Sequence, residues 1–452
     1  MIPVLTPEQM RAVDADSDVP VDVLIDRAGW AVAQVALRLL GGGYGRKVNV
    51  VAGPGNNGAD GRVAGERLQA RGVRVRVFDA LDCPAELPSA DLVIDAAFGS
   101  GFRGRWRMPD IGDAPILAVD VPTGLDGTLG EAESATRLAQ ATVTFCAPYP
   151  GHVLNDGPGL VGELTVADIG LDAGATSTHL VEATDVAAWV PTRRRDAHKW
   201  VQAVRIVAGS VGMTGAASLA AAAALRGGSG MVAVSSPGVE ASVPTEVVER
   251  RVPPFDWAEI VLSDLHRFQS LVVGPGLGRE EYTVPSMVRT VLESVVPIVV
   301  DGDGLFALSW NEDGDPSFLA EREVATVLTP HDGEYGLLTG RRPGADRIGD
   351  AHLLAEMTGA TVLLKGPTTV VAAPDGRTHL IANGSDRLAT AGTGDVLSGL
   401  IGAFLAAGTP APEAAAAAAW VHAEAASGCA TGMIAGDLLT AIPSVIERSR
   451  VE

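Results

Sequence analysis

The feature that most constrains this chain is a rhythm heard twice. Short β-branched runs alternate with stretches of helical pattern, first in the front third and again, after an irregular interval, through the back half. In the front they are Lys47-Val-Asn-Val-Val-Ala, Val73-Arg-Val-Arg-Val-Phe, Leu92-Val-Ile-Asp-Ala, Ile116-Leu-Ala-Val-Asp and Ala141-Thr-Val-Thr-Phe-Cys. Apolar runs of this length, spaced by helix-length intervals, imply parallel strands joined by crossovers and buried on both faces. Ahead of them Thr6 to Leu40 reads as helix, with Thr6 as N-cap and Pro7 in the first turn.

In the back half the runs are Val204-Arg-Ile-Val-Ala, Met231-Val-Ala-Val-Ser, Ser270-Leu-Val-Val-Gly, Pro297-Ile-Val-Val-Asp, Thr326-Val-Leu-Thr and Thr361-Val-Leu-Leu-Lys. Thr369-Val-Val-Ala-Ala and Thr378-His-Leu-Ile then flank Pro374-Asp-Gly376 and predict an antiparallel hairpin. Gly170 to Arg195 mixes Gly, Ala, Ser and Thr and reads as connecting chain, so a boundary is expected near residue 175, giving domains 1–175 and 176–452. The six consecutive alanines from Ala414 look like low complexity, but with Trp420 and Val421 they read better as a close-packed helix. The expected class is α/β.

A formal charge of -21 sets the electrostatics. It opposes phosphate backbones and anionic lipid, so neither nucleic acid nor a membrane surface is expected as a partner, and phosphate binding must be local. Three widely spaced cysteines argue against a disulfide framework. Met1 to Pro7 lacks a basic segment followed by an apolar core, and the expected location is the cytoplasm.

Two segments of the back half carry chemistry. A strand ending at Lys365 brings that ammonium to the rim of the sheet, where α/β proteins bind ligands. Ala391-Gly-Thr-Gly-Asp395 places two glycines before a helix, so that free N–H groups can face an anion. At the first turn, Asp395 is either a simple cap or the base that takes a proton from a hydroxyl attacking the phosphate.

His198-Lys199, Gly209 to Ala216, Gly274-Pro-Gly-Leu-Gly278, Asp301-Gly-Asp303, Thr329-Pro-His-Asp-Gly-Glu334, Lys365 to Thr369 and Ala391 to Asp395 occur in that order. Together they resemble the nucleotide-dependent NAD(P)H-hydrate dehydratase family, with its ribokinase-like α/β fold, over residues 182–447. The resemblance implies that Lys365, Gly366, Pro367, Thr368, Thr369 and Gly394 hold ADP or ATP. It further implies that Ala216, Gly276, Gly278 and His331 line the hydrate site, and that Asp395 contacts the hydrate as the catalytic base. Magnesium is expected from the phosphate chemistry. Trp200 and Asp332 stand where that family usually has glycine and proline.

In the front domain, Gly53-Pro-Gly-Asn-Asn-Gly-Ala-Asp-Gly61 forms a glycine-rich strand-to-helix turn, and Asp95 and Asp120 end two other strands. Such a set suits a hard cation or a polar ring, although carboxylates at strand ends also serve simply to satisfy backbone N–H groups. With Thr144-Phe-Cys-Ala-Pro-Tyr-Pro-Gly-His152, these residues resemble the NAD(P)H-hydrate epimerase family, a Rossmann-like three-layer domain, over residues 5–172. That implies a potassium site at Asn57, Asp95 and Thr123. It also implies hydrate binding by Asn56, Asn57, Gly58, Ala59, Asp60, Gly99, Ser100, Gly101, Phe102, Arg103, Gly104, Arg105 and Asp120, with Asp120 as the acid-base group. Ala59, Thr123 and Tyr149 depart from the usual glycine, serine and lysine.

The reading is a two-domain repair enzyme, isomerase and lyase in one chain, acting on NADHX and NADPHX with ADP or ATP and expected to form a homo-oligomer. The alternative from another class is a ribokinase-like small-molecule kinase fused to a noncatalytic nucleotide-binding or scaffolding domain.

Overall fold

The computed structural model describes residues 1–310 and 315–451, which fall into two compact units, Ile2–Thr176 and Ser177–Glu452. Among the described residues no helix is long and apolar enough to cross a membrane.

In the first unit the strands lie in the order Arg74–Asp79, Lys47–Ala52, Leu92–Ala96, Ile116–Val119, Ala141–Phe145, Glu163–Ala167, all parallel. Every residue of Leu92–Ala96 and Ile116–Val119 is buried, as expected of central strands covered on both faces. Glu163–Ala167 is not among the runs that patterning picks out. It is a half-exposed edge strand whose polar residues are offset by backbone pairing to Ala141–Phe145.

One face of this sheet carries the helices Val21–Leu40 and Asn56–Gln69. The second packs so closely on the sheet that a Cβ at Gly61 would lie 2.4 Å from that of Ala96. The opposite face is covered by irregular chain instead of helix, with Leu87, Met108, Ile111 and Trp106 packed over Val51, Val93 and Ala118. Pro7–Asp16 begins as its sequence requires: Thr6 Oγ1 accepts from Gln9 N at 3.2 Å and Gln9 Oε1 accepts from Thr6 N at 2.8 Å.

In the second unit the order is Thr178–Leu180, Thr378–Ile381, Thr369–Ala372, Thr361–Leu364, Thr326–Leu328, Ile298–Val300, Ser270–Val273, Ala203–Val207, Met231–Ser235, Val248–Glu249. Only Thr369–Ala372 runs antiparallel to its neighbours, and the hairpin turns where expected, with Gly376 at φ 91°. Thr214–Arg226, Thr393–Ala406, Ala411–Ser427 and Ala435–Ser449 contribute to one core. The alanine run is a helix buried on nearly every side, with Ala414 to Ala419 all inside. Small side chains let the backbones approach: a Cβ at Gly399 would lie 2.1 Å from the Ala220 carbonyl oxygen. Thr178–Leu180 and the helix Ala183–Trp189 arise within the segment read as connecting chain, because pairing with Thr378–Ile381 gives Thr-His-Leu the partners its composition does not announce.

His379, on Thr378–Ile381, is 2% exposed, and neither ring nitrogen has a hydrogen-bond partner among the described residues. The ring lies 5.2 Å from that of Trp189. Burial is the main cause pulling its pKa from 6.5 to about 4. The folded state therefore binds fewer protons than the unfolded state between those values, and stability is lost as pH falls from 6.5 toward 4. His379→Leu removes two unsatisfied buried atoms and is expected to stabilise this unit by about 1–2 kcal/mol, with the larger gain at pH 5 than at pH 7.5. Thermal midpoints at the two pH values check this, and equal or lower midpoints in the variant contradict it.

Candidate active sites

Three neighbouring strand ends build the centre of the second unit. Asp301 follows Ile298–Val300, Thr329 follows Thr326–Leu328, and Lys365 follows Thr361–Leu364. Lys365 Nζ donates to Asp301 Oδ1 at 2.6 Å. Thr329 Oγ1 donates to the same oxygen at 2.8 Å, and Ser398 Oγ donates to Asp301 Oδ2 at 2.5 Å. Burial alone would raise the Asp301 pKa, but the Lys365 charge and these donors hold it below the ordinary carboxylate range. Burial likewise opposes the Lys365 charge, and Asp301 and Glu334 outweigh it, leaving the ammonium above its ordinary range.

The helix Thr393–Ala406 starts over this pair. Only Gly392 precedes it, in the left-handed conformation at φ 88°; Gly394 and Asp395 lie within the first turn. The expectation of two glycines ahead of the helix is thus corrected: the helix starts two residues earlier, since Thr393 already has helical geometry. A Cβ at Gly394 would lie 3.6 Å from Lys365 Nζ and 3.8 Å from Asp301 Oδ2, so that first turn borders the ion pair. Thr393 Oγ1 donates to the carbonyls of Leu388 and Thr390. The Thr393 carbonyl lies 2.9 Å from Nε2 of buried His422, a structural support of the turn.

Asp395 is not a cap. The capping position is Gly392, without any side-chain cap bond, and the half-buried Asp395 carboxyl has no hydrogen bond among the described residues. Burial, then the negative charge of Asp301, raise its pKa from 3.8 to about 7, with Lys365 opposing and Asp303 adding to the rise. A carboxyl free of structural duty and poised near neutrality can exchange a proton with a ligand.

Around this centre, a Cβ at Gly276 would meet that of Ala216 at 2.9 Å, so those two segments touch. Gly278 N and Arg279 Nε donate to Asp303 at 2.9 and 2.8 Å. His331 caps the helix Asp332–Thr339, its Nδ1 accepting from Gly333 N and Glu334 N at 3.0 and 3.1 Å. Nε2 therefore carries the ring proton and lies 3.5 Å from Glu334 Oε1, on a solvent-exposed side chain. Asp332 pairs with Arg347 at 3.0 Å, and Arg347 also donates to the Lys365 carbonyl at 2.7 Å, bracing the start of Lys365 to Thr369. Asp301, Asp303, Ser398 and Arg347 are the members that site assignment from sequence omits. Asp301 ends a strand exactly as Lys365 does, and the same rule would have found it.

In the first unit a cavity of about 490 Å³ is lined by Asn56, Asn57, Asp60, Gly99, Ser100, Gly101, Phe102 and Asp120, with Asp14, Arg11 and Tyr149 also in its wall. Asp120 sits at φ 70°, a left-handed conformation rare for a residue with a side chain. Its N–H donates to the Val143 carbonyl at 2.7 Å, and its Oδ2 accepts from Ser100 N at 2.8 Å. Buried His152 accepts at Nδ1 from Tyr149 N at 3.0 Å, so Nε2 donates to the Asp120 carbonyl at 2.8 Å. Tyr149 shares the cavity wall with Asp120, and burial first, then the Asp120 charge, push the pKa of its hydroxyl well up. The departure from lysine thus puts a neutral hydroxyl in the wall.

Gly99 lies between Asp120 and Asn57: a Cβ there would be 2.6 Å from Asp120 Oδ2 and 3.5 Å from Asn57 Cγ. With its amide oriented to suit both neighbours, Asn57 donates to Val119 O and accepts from Gly99 N. Asp95 accepts from Thr123 Oγ1 at 2.8 Å and Thr123 N at 3.0 Å, and Thr123 Oγ1 also lies 3.1 Å from the Phe98 carbonyl. Burial nevertheless raises the Asp95 pKa, the Thr123 bonds only partly opposing it.

Several expected residues stand apart from the cavity wall. Gly58 packs on Gly53, where a Cβ would lie 1.9 Å from the carbonyl oxygen, and Ala59 lies outside the wall. Arg103 and Gly104 line an adjoining depression of about 270 Å³ with Asp126 and Glu131, which shares Gly99 and Phe102 with the cavity, and Arg105 faces another. Patterning missed Asp14 and Arg11, which reach the cavity from a helix far from the turn in sequence.

Comparison with known proteins follows this geometry. The model of the NAD(P)H-hydrate dehydratase family matches residues 204–448, and that of the YjeF-related protein N-terminus matches residues 21–84 and 79–151. The bifunctional NAD(P)H-hydrate repair enzyme of Mycobacterium leprae is 37% identical over 469 residues, spanning 96% of this chain and 95% of that protein. Its counterpart from Moorella thermoacetica is 34% identical over 98% of this chain and 95% of its own length. A ribokinase-like superfamily protein of Enterococcus faecalis superposes with a TM-score of 0.54 at 19% identity, over 61% of this chain and 97% of that one, a likeness of fold. Two-domain relatives aligned end to end, and a family model on each unit, place the chain: it belongs to the bifunctional NAD(P)H-hydrate repair enzyme family.

Proposed function

We propose that the first unit interconverts the R and S hydrates of NADH and NADPH at its cavity, and that the second dehydrates the S form with ADP or ATP. The observation that carries the dehydratase reading is Asp395, an unpaired carboxyl poised near neutrality at a helix start bordering the Lys365–Asp301 pair. Lys365, Gly366, Pro367, Thr368, Thr369 and Gly394 hold the nucleotide, with the ammonium and the helix N-terminus facing its phosphates. Ala216, Gly276, Gly278 and His331 bound the hydrate. Asp395 takes the proton of the ring hydroxyl as that oxygen is phosphorylated, which turns a poor leaving group into a good one, and elimination restores the dihydronicotinamide. Magnesium, when bound with the nucleotide, supplies charge neutralisation at the phosphates.

In the first unit Asp120, aimed into the cavity by a strained backbone, is the acid-base group. Potassium is proposed at Asn57, Asp95 and Thr123. The fit rests on a buried carboxylate with no ion-pair partner among the described residues, beside a hydroxyl and the Phe98 carbonyl, an oxygen set suited to a hard cation. Matches to both units favour repair over the kinase alternative, in which the first unit would be noncatalytic.

The test is incubation with separated R and S NADHX, with and without ADP or ATP, following the absorbance of regenerated NADH. Nucleotide-dependent recovery from S, and recovery from R faster than its spontaneous epimerisation allows, are expected. A stable phosphorylated product with no NADH would establish the kinase reading instead.

A further inference from the structure

We infer that Asp60 is a second catalytic carboxyl of the first unit's cavity, the acid that gives a proton to the departing ring hydroxyl while Asp120 receives one from the incoming water. The inference rests on the epimerase reading above and deepens it.

Three carboxyls from separate elements reach this cavity: Asp14 from Pro7–Asp16, Asp60 from Asn56–Gln69, and Asp120 beyond Ile116–Val119. Their environments differ. Asp120 accepts from Ser100 N and is anchored through its backbone by Val143 and His152. Asp60 is 7% exposed, lines the cavity, and makes no hydrogen bond or ion pair among the described residues. Donors orient the one carboxyl, while a donor-poor pocket favours the protonated form of the other; two carboxyls in such different settings divide into base and acid. The remaining charged or titratable groups of the wall are Asp14, which opposes ionisation of Asp60, Arg11, whose Nε donates to the Pro7 carbonyl, and Tyr149. His152 behind Asp120 is held neutral by burial. In support, burial first, then Asp120 and Asp14, raise the Asp60 pKa from 3.8 to about 8, so the proton is present at neutral pH.

The chemistry needs such a pair. In the hydrate the hydroxyl sits on the carbon next to the ring nitrogen. The nitrogen lone pair forms C=N as the C–O bond breaks, and the Asp60 proton leaves with the hydroxide as water. Water then adds to the other face of that carbon, its electron pair forming the new C–O bond as the C=N pair returns to nitrogen, and its surplus proton goes to Asp120. Atoms and charge balance. Asp60 ends ionised and Asp120 protonated, the state from which the reverse reaction starts, and exchange with solvent resets either direction.

The experiment follows R-to-S exchange of NADHX by chiral chromatography without nucleotide, in the full chain, with folding read from the thermal midpoint. The wild-type rate is expected to fall as pH rises past about 8. Asp60→Asn is expected to lose about 100-fold or more in kcat with KM within about threefold, and to lose the alkaline fall. Asp60→Glu, the variant that decides if the asparagine chain is unstable, is expected to recover part of the rate together with the alkaline fall. Asp60→Asn retaining kcat, or losing only KM, overturns the inference while leaving the epimerase reading intact. Wild-type exchange at the spontaneous rate overturns both.

Discussion

Asp395→Asn lowers nucleotide-dependent dehydration of S-NADHX about 10³-fold or more in kcat, while nucleotide affinity stays within about threefold. The asparagine keeps the shape of the first helical turn and removes only the proton acceptor. Among the described residues nothing else in the fold depends on that carboxylate, because the helix is capped by backbone at Gly392 and the side chain makes no hydrogen bond. Stability should therefore hold or rise, as an unpaired and partly buried charge is removed. The same geometry sets a pH profile. The base acts when ionised, and its pKa is raised to about 7, so kcat/KM of the wild-type chain rises with pH up to about 7 and then levels. A variant with more than a tenth of wild-type kcat removes Asp395 from the base role. Absorbance of regenerated NADH and calorimetric titration of ADP separate the two readouts.

Lys365→Met has the second large effect, and it falls on stability as well as activity. Asp301 is 3% exposed and Lys365 supplies its only cation among the described residues, so the variant leaves a buried carboxylate with two hydroxyl donors. Breaking such a pair from one side costs about 3–5 kcal/mol. The pair contributes across neutral pH: Asp301 is held below 3.8 and Lys365 above 10.5, so its stabilisation is lost only as pH falls through the carboxylate's lowered range or rises through the ammonium's raised one. Asp301→Asn added to Lys365→Met removes the orphaned charge and keeps an acceptor for one of the two hydroxyls, which bond different oxygens, while the amide nitrogen can donate to the other. The double variant should recover most of the thermal midpoint and none of the dehydration. In the single variant the midpoint drops, and the alkaline shift of the Asp395 limb reports loss of the cation that lowers it. A single variant that melts with the wild type sinks the coupling.

Much of this was legible from residues alone. β-branched runs marked the interior strands because a strand covered on both faces needs an unbroken apolar run, as in Leu92–Ala96. Thr6 announced its helix, since the capping bonds lie within four residues. Lys365 and the Gly392 to Asp395 turn could be singled out because a strand rim and a glycine-rich helix start are local features of the sequence. Edge strands such as Glu163–Ala167 and Thr178–Leu180 escaped, because what holds them is a neighbour's backbone and not their own composition.

What the sequence alone determined, then, was the elements, their α/β class and the short motifs whose physics is contained in a few adjacent residues. Tertiary structure decided which charges meet. Asp301 lies 64 residues from Lys365 and 97 from Ser398, and only adjacent strand ends bring them within hydrogen-bond reach. Asp14, Asp60 and Asp120 share one cavity only once the first helix closes over the sheet. Whether a carboxyl is a cap, half of an ion pair or a proton donor depends on burial and on neighbours distant in the chain, because desolvation and Coulomb interactions act through space and not along the sequence.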